Sequence, residues 1–164
     1  MPGTKVIPLA RLKRKILQLK QEGKRIVFTN GCFDILHYGH VKYLQDARQK
    51  GDYLVVALNS DSSVRKIKGR SRPIIPQADR MRTLAALGCV DFVVLFNEDN
   101  PLRLIKELKP DFLIKGSDWD KKSIVGADFV ESYGGSVLTV NLVKGRSTSK
   151  LIEKIKSAQY SSHN

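Results

Sequence analysis

Short apolar stretches alternate with amphipathic ones along most of this chain. Five stretches are apolar almost throughout, as in strands that are buried on both faces of a parallel sheet. The predicted strands are 25–30, 53–60, 90–96, 111–116 and 136–142. Between them, apolar residues recur at the spacing of a helical turn. The predicted helices are 9–22, 40–50, 78–88, 100–109 and 124–134, and a last helix starts near Ser147.

This order of elements predicts an α/β fold: a single domain with a Rossmann-like, doubly wound parallel sheet and helices on both faces. We divide the chain into an N-terminal amphipathic helical extension (1–24), a main domain (25–155) and a polar C-terminal tail (156–164). The apolar stripe of the extension favours packing at the domain edge over a role at a membrane or on RNA. Residues 62–76 are basic and rich in turn formers, which predicts a mobile loop.

Composition narrows the function classes. The 164 residues are 41% hydrophobic, and 29 basic against 16 acidic side chains give a net charge of +13. No apolar run approaches the ~20 residues that span a bilayer, so no membrane insertion is predicted. The first residues lack the apolar centre of a secretory signal, and Cys32 and Cys89 show no redox or metal spacing, which favours the cytoplasm. The basic excess indicates an anionic partner: nucleic acid, an acidic membrane surface or nucleotide phosphates.

The segment 31–40, GCFDILHYGH, places His37 and His40 three residues apart. As metal ligands they lack a third candidate, because the remaining histidine, His163, lies in the polar tail, so no metal site is predicted. Gly39 between them favours a close backbone approach over core packing. A helix that begins at about His40 would direct free N–H groups at an anion, which fits phosphate handling better.

The pattern T-x-G-x-F-D-x-x-H-x-G-H, found from Thr29 to His40, resembles the signature of the cytidylyltransferase-like nucleotidyltransferases. The resemblance implies that His37 and His40 stabilise the transition state. It also implies that nucleotide is bound by this signature and the helix after it, at Thr29, Asn30, Gly31, Cys32, Phe33, Gly39, His40 and Lys42. Asp34 would either orient backbone amides or face the acceptor substrate.

Two further segments follow predicted strands and carry polar groups. KGRSTSKLIEKI (144–155) resembles the family segment that closes on phosphates, through Ser147, Thr148 and Ser149; an ordinary helix cap is the alternative. IKGSDWD (114–120) resembles a family element in which Gly116 and Asp118 contact the nucleotide and Trp119 shapes the pocket. A turn with a surface tryptophan is the alternative here.

The basic segment before the third helix resembles a family loop that closes over a triphosphate. On this basis Lys66 and Arg80 are predicted to be catalytic, and Lys68 to bind substrate. Asn59 and Asp61 end the second strand, where ligand-facing side chains belong, and are also predicted to bind substrate. Either could equally be a turn former.

The resemblance extends over 25–155, which would be the nucleotidyltransferase domain. TNGCFDILHYGHVKYL, RPIIPQADRMRTLAALGCVDFVVLF and ELKPDFLIKGSDW resemble heptose 1-phosphate adenylyltransferases. Such an enzyme transfers AMP from ATP, with Mg²⁺, to D-glycero-β-D-manno-heptose 1-phosphate. The products are pyrophosphate and ADP-heptose, a precursor of lipopolysaccharide core or surface glycans. By analogy the protein would be a homodimer that works after a separate sugar kinase.

Two alternatives stay open at this point. The KGSDW element resembles that of glycerol-3-phosphate cytidylyltransferases more closely. The nearest rival pair of substrates is therefore CTP and a small phosphorylated alcohol such as glycerol 3-phosphate. A non-enzymatic nucleic-acid-binding module is suggested by the charge alone. No RNA or DNA signature supports it, and aromatics at 7% are too sparse for a stacking platform, so no nucleic acid partner is predicted.

Overall fold

The computed structural model describes residues 5–160 and contains five strands and seven α-helices in that part of the chain. The strands are β1 Ile26–Gly31, β2 Tyr53–Asn59, β3 Phe92–Phe96, β4 Phe112–Gly116 and β5 Ser136–Val140. The helices are α1 Leu9–Gln21, α2 Tyr38–Arg48, α3 Asp61–Lys68, α4 Gln77–Ala86, α5 Leu102–Leu108, α6 Ala127–Ser132 and α7 Thr148–Tyr160. A short 3₁₀ turn, Lys121–Ser123, precedes α6.

The five strands form one parallel sheet in the order β3-β2-β1-β4-β5. The chain therefore builds outward from β1 in one direction and then in the other, which confirms the predicted doubly wound fold. The reversal places a switch point beside β1, where β1 lies between β2 and β4. In open sheets of this kind, ligands bind at the carboxyl ends of the strands next to the switch point.

Helices cover both faces of the sheet. On one face α1, α5 and α6 pack around Phe28 and Leu113, and on the other α2 and α4 pack around Val27 and Val56. These strand residues are fully buried, as expected for strands covered on both sides. No helix within residues 5–160 combines the length and the apolar character that crossing a bilayer requires.

The N-terminal helix belongs to this core. Leu12, Ile16 and Leu19 of α1 are buried, which confirms the predicted amphipathic helix and its packing at the domain edge. Just before α1, the Val93 N–H donates to the Lys5 carbonyl at 2.8 Å, and the Ile7 N–H donates to the Val93 carbonyl at 3.0 Å. The start of the described chain thus extends the sheet beyond β3.

The predicted strands and helices begin and end within three residues of those in the structure, and three differences change the description of the chain. Residues 62–76 were predicted to be a loop, but their first part is helix α3, which Ser60 caps by accepting from the Ser63 N–H at 3.2 Å. Helix α2 begins at Tyr38, two residues earlier than predicted. Helix α7 continues to Tyr160, so the described part of the predicted tail is helical; residues 161–164 lie outside the described residues.

Candidate active site

A cavity of about 570 Å³ opens at the carboxyl edge of the sheet, beside the switch point. Its walls come from the ends of β1, β2 and β4 and from the first residues of α2 and α7. Most of the predicted site residues line it: Asn30, Gly31, Cys32, Phe33, Asp34, His37, Gly39, His40, Asn59, Lys68, Gly116, Asp118, Trp119, Ser147, Thr148 and Ser149. Segments far apart in the sequence therefore meet in one cavity.

His37 and His40 lie at the start of α2 as a stacked pair. Their ring centroids are 3.9 Å apart and their planes are inclined by 27°. His37 is the N-cap of the helix, because its Nδ1 accepts a hydrogen bond from the Gly39 N–H at 3.1 Å. An accepting Nδ1 leaves the proton of a neutral imidazole on Nε2. His37 Nε2 and His40 Nδ1 are buried, and neither has a hydrogen-bond partner among residues 5–160.

Both histidines are held neutral near pH 7. Burial, followed by the charge of Arg146, lowers the pKa of His37. Burial and the neighbouring His37 lower the pKa of His40 to about 4, and a hydrogen bond with the backbone of Ile35 opposes this only in part. The unpartnered Nε2–H of His37, beside the positive end of a helix, suits a ligand that brings its own negative charge.

Gly39 permits the close packing at this helix start. A Cβ atom at this position would lie 2.9 Å from Cε1 of His37 and 3.0 Å from Cβ of Arg146. Real Cβ contacts are longer, so any side chain here would displace the His37 ring or the segment that carries Arg146. The glycine thus brings the approach to α7 against the start of α2.

Asp34 joins the end of β1 to the segment after α3. Its carboxylate accepts hydrogen bonds from the Ile74 N–H at 2.8 Å, the Ile75 N–H at 2.8 Å and the Arg72 Nε at 2.6 Å. Burial by itself would raise the pKa of this carboxyl, but these bonds and the Arg72 charge hold the pKa below its usual value. Of the two predicted roles, this geometry matches the orientation of backbone amides.

Arg80 lies beneath the cavity and does not line it. Its side chain is fully buried and donates to three carbonyls, those of Ile75, Cys32 and Asn59, at 2.9, 2.5 and 3.0 Å. Its remaining terminal nitrogen donates to Asp61 at 2.7 Å. The guanidinium that was predicted to contact substrate is therefore bonded to the protein, as is the Asp61 carboxylate, and the pair holds β1, β2 and α4 together.

Three more predicted residues do not line the cavity. Lys66 is exposed on α3 and pairs with Asp99 at 3.3 Å. Lys42 pairs with Asp46 one turn along α2, at 2.5 Å. Thr29 is buried in β1, where its hydroxyl shares a hydrogen bond of 2.7 Å with the Tyr43 hydroxyl.

The start of α7 completes the opposite wall. The Lys150 N–H donates to the Ser147 Oγ at 3.2 Å, so Ser147 has the capping role that was the alternative interpretation of this segment. Ser147 nevertheless also lines the cavity, together with Thr148 and Ser149. The cavity is therefore bordered by two helix N-termini, α2 and α7, and such termini are natural anion sites.

Four cavity residues of chemical interest were not predicted from the sequence: Lys115, Arg72, Arg146 and Tyr43. Lys115 had a usable signal, since it is the one charged residue of the strand FLIKG. Its Nζ donates to Asn30 Oδ1 at 2.6 Å and lies 5.5 Å from the centroid of the Trp119 ring. Burial lowers its pKa to about 8, although Cys32 and Asp118 act in the opposite direction. Arg72 and Arg146 sat among many surface-like basic residues and had no such signal.

No group of three or more His, Cys, Asp or Glu side chains in residues 5–160 is arranged to hold a metal ion. Of the acidic side chains that line the cavity, Asp34 is bonded to Arg72 and Asp99 to Lys66, and Asp118 is exposed to solvent.

Comparisons with known proteins agree with this geometry. The family model described as Cytidylyltransferase-like matches residues 28–164. The bifunctional protein HldE of Syntrophotalea carbinolica is 55% identical over 150 residues, which are 91% of this chain and 31% of that protein. The HldE of Geotalea uraniireducens is 61% identical over 138 residues, 84% of this chain and 28% of that protein. The chain thus spans about a third of the length of these relatives.

Two solved structures share the fold. A lipopolysaccharide core biosynthesis protein from Thermoplasma volcanium matches with a TM-score of 0.63 and 32% identity, over 76% of this chain and 100% of that one. Pantothenate synthetase from Thermus thermophilus matches with a TM-score of 0.59 over 85% of this chain and 62% of that one. At 14% identity, the second match shows the fold alone.

Proposed function

Because the chain belongs to the cytidylyltransferase-like family, we propose that it is a nucleotidyltransferase that transfers AMP from Mg-ATP to D-glycero-β-D-manno-heptose 1-phosphate. The products are ADP-heptose, for lipopolysaccharide core or surface glycans, and pyrophosphate. The observation that carries the proposal is the stacked pair His37 and His40, with two buried, unpartnered ring nitrogens at a helix N-terminus inside the switch-point cavity.

The substrate pair is supported by similarity. The signature from Thr29 to His40 and the segments around 73–96 and 107–119 resemble heptose 1-phosphate adenylyltransferases. The relatives at 55% and 61% identity are named bifunctional, and the Thermoplasma neighbour is named for lipopolysaccharide core synthesis. A separate sugar kinase upstream, a homodimer and a cytoplasmic location fit this proposal and stay predictions.

In the proposed reaction, a phosphate oxygen of the sugar phosphate attacks the α-phosphorus of ATP in line, and the bond to pyrophosphate breaks. Negative charge grows on the phosphoryl oxygens, so positioned hydrogen-bond donors lower the barrier. His37 Nε2–H is such a donor, because its Nδ1 is occupied by the helix cap. The two helix N-termini and the cations Lys68, Arg72 and Arg146 offset the repulsion between the two polyanions.

Magnesium enters this proposal as part of the nucleotide substrate. Mg²⁺ keeps several waters and is commonly bound through phosphate oxygens. Both oxygens of Asp34 are already hydrogen-bonded, which leaves this carboxylate little capacity as a ligand.

The test is a substrate matrix. The protein is incubated with ATP or CTP and with heptose 1-phosphate or glycerol 3-phosphate, and pyrophosphate and nucleotide sugars are quantified. We expect pyrophosphate and ADP-heptose in equal amounts from ATP with heptose 1-phosphate. The other three pairs of nucleotide and acceptor should give only the background level of pyrophosphate. The substrate assignment would be contradicted if pyrophosphate were released from CTP with glycerol 3-phosphate and not from ATP with heptose 1-phosphate. That result would favour the rival pair suggested by KGSDW.

A further inference from the structure

Lys115 places an ammonium group in the cavity wall without a carboxylate partner. Its side chain is partly buried at the end of β4, and its short hydrogen bond goes to the neutral Asn30 Oδ1, at 2.6 Å. A second acceptor, the Asn30 carbonyl, is at 3.5 Å, the outer limit of a hydrogen bond. The face of Trp119 lies beside it at 5.5 Å. No described carboxylate within residues 5–160 forms an ion pair with it.

This arrangement leaves the charge of Lys115 undersatisfied. An ammonium carries three N–H donors, and the two Asn30 oxygens cannot use all of them well. Partial burial also removes water from the ammonium, which is unfavourable, and the attraction to an aromatic face offsets only part of this desolvation penalty. Lys115 also differs from Lys68 and Arg146, which line the same cavity but are exposed to solvent and stay hydrated.

We propose that Lys115 is a phosphate ligand of this cavity, and that its ammonium donates to a phosphoryl oxygen of a bound substrate. This inference rests on the proposed function for the identity of the substrates. The phosphoryl group belongs either to the nucleotide or to the sugar phosphate, and both present the same oxygen chemistry. His37 and His40 cannot supply a positive charge to this contact, because both are uncharged near pH 7.

The proposal has a pH signature. In the free protein Lys115 loses its proton around pH 8, and a bound phosphate raises that pKa by stabilising the ammonium. Binding of Mg-ATP and heptose 1-phosphate should therefore weaken as pH rises through this range, where these two ligands are already almost fully ionised. Pyrophosphate still loses a proton there, so its binding is compared between variants at a single pH.

The other titratable groups near Lys115 change charge elsewhere. Cys32, at the end of β1, has its pKa raised by burial, and burial also raises the pKa of Tyr43 on α2. Asp118 follows β4, and its negative charge favours the ammonium form of Lys115. The remaining charged side chains of the cavity are Asp34, Lys68, Arg72, Asp99 and Arg146.

The experiment measures binding without turnover. Calorimetric titrations of wild type, K115M, K115R and K106M are made at pH 7 and pH 9, each with Mg-ATP, heptose 1-phosphate, inorganic pyrophosphate or adenosine. Lys106 is the matched control, because it is an exposed lysine 5.9 Å from the ring of Phe129 and does not line the cavity. Thermal unfolding of each variant is recorded in parallel.

We expect K115M to weaken binding of a phosphate-bearing ligand about tenfold to a hundredfold at pH 7, the usual effect of one charge-assisted hydrogen bond. Adenosine binding should stay within about twofold, and K106M should behave as wild type. Wild type should lose about tenfold in phosphate affinity from pH 7 to pH 9, whereas K115R, which stays charged, should not. An effect confined to heptose 1-phosphate, or to ATP and pyrophosphate, identifies the source of the phosphoryl group.

The proposal would be overturned if K115M lost as much affinity for adenosine as for Mg-ATP. It would also be overturned if K115M bound every phosphate ligand as wild type does. If K115M does not fold, the pH dependence of wild type against K115R decides the question. Failure of the proposed function is a separate outcome: the substrate matrix would then yield no ADP-heptose, while pyrophosphate, which carries no base, would still report on Lys115.

Discussion

At the residue scale, the unpartnered nitrogens His37 Nε2 and His40 Nδ1 are the feature that most needs a ligand. Burying a polar atom without a hydrogen bond costs stability, so a protein keeps such atoms chiefly where they have a function. His40 adds a second cost, because its pKa of about 4 means that the folded protein resists protonating it. The His40 ring should therefore support catalysis but make the folded protein sensitive to acid. Replacing it should lower activity and reduce that acid sensitivity, so one substitution tests both effects.

We expect H40Q to lower kcat of the proposed transfer by about a hundredfold to a thousandfold, because the His40 ring stacks on His37 at 3.9 Å and holds the donor Nε2–H of His37 in place. The same variant should be less sensitive to acid. His40 has a folded pKa of about 4 against 6.5 in the unfolded chain, so the unfolded state binds the proton more readily below pH 6.5. Wild-type stability from this residue is thus intact above pH 6.5 and falls by about 2 kcal/mol by pH 5.

Urea unfolding at pH 7.5 and pH 5 measures this difference for wild type, H40Q and H37Q. Burial also lowers the pKa of His37, so H37Q should reduce the acid sensitivity too. An H40Q protein with near wild-type kcat would contradict the role in phosphate handling. An H40Q protein as acid-sensitive as wild type would contradict the buried, neutral state of the ring.

At the scale of elements, Asp34 fixes the segment after α3 to the end of β1. That segment carries Arg72, and Lys68 at the end of α3 precedes it, so its position decides where two cations of the cavity lie. We expect D34N to lower the free energy of unfolding by about 2 to 4 kcal/mol, since Arg72 and two backbone N–H groups lose a buried carboxylate. It should also reduce kcat/KM for Mg-ATP.

The matched control is D79N, which removes a carboxylate from the exposed pair of Asp79 with Arg82 at 3.4 Å. Exposed pairs contribute little, so this variant should stay within about 1 kcal/mol of wild type. Urea unfolding followed by far-ultraviolet circular dichroism gives both values. If D34N and D79N were equally stable, the hydrogen bonds of Asp34 would not be what holds the segment after α3 in place.

The elements that sequence predicted well are those whose own residues carry the signal. The strands have continuous apolar runs and α1 has a clear apolar stripe, so both were found from periodicity. Helix α3 was missed because only Ser63 and Val64 are buried, which leaves a basic, loop-like pattern. Its helical state depends on the Ser60 cap and on packing that local sequence does not show.

At the site, too, contiguous motifs could be predicted from the sequence, whereas contacts between distant residues could not. The signature from Thr29 to His40 is contiguous, so the stacked histidines were found from it. The bonds of Arg80 to carbonyls 21 and 48 residues away were invisible, and a side chain predicted to contact substrate proved to be buried. Lys115 did carry a local signal, as the one charged residue of its strand, but its bond to Asn30, 85 residues earlier, was equally invisible.

At the scale of the whole molecule, the net charge of +13 and a cavity lined by Lys68, Arg72, Lys115 and Arg146 act on the same substrates. A basic surface raises the local concentration of polyanions and speeds their arrival, and salt screens this effect. The Debye length shrinks from about 10 Å at ~0.1 M salt to about 3 Å at ~1 M. Charges outside the cavity should therefore contribute at low salt only.

We expect kcat/KM for Mg-ATP to fall at least about threefold between ~0.05 and ~0.5 M KCl, while kcat at saturation stays within about twofold, because steering affects encounter and not chemistry. R11E/R14E tests the long-range part: both arginines are exposed on α1 and do not line the cavity. The double variant should have a lower kcat/KM than wild type at low salt and match it at high salt. A kcat/KM that is flat with salt, together with salt-sensitive, tight binding to duplex DNA, would instead favour a nucleic acid as the partner of this charge.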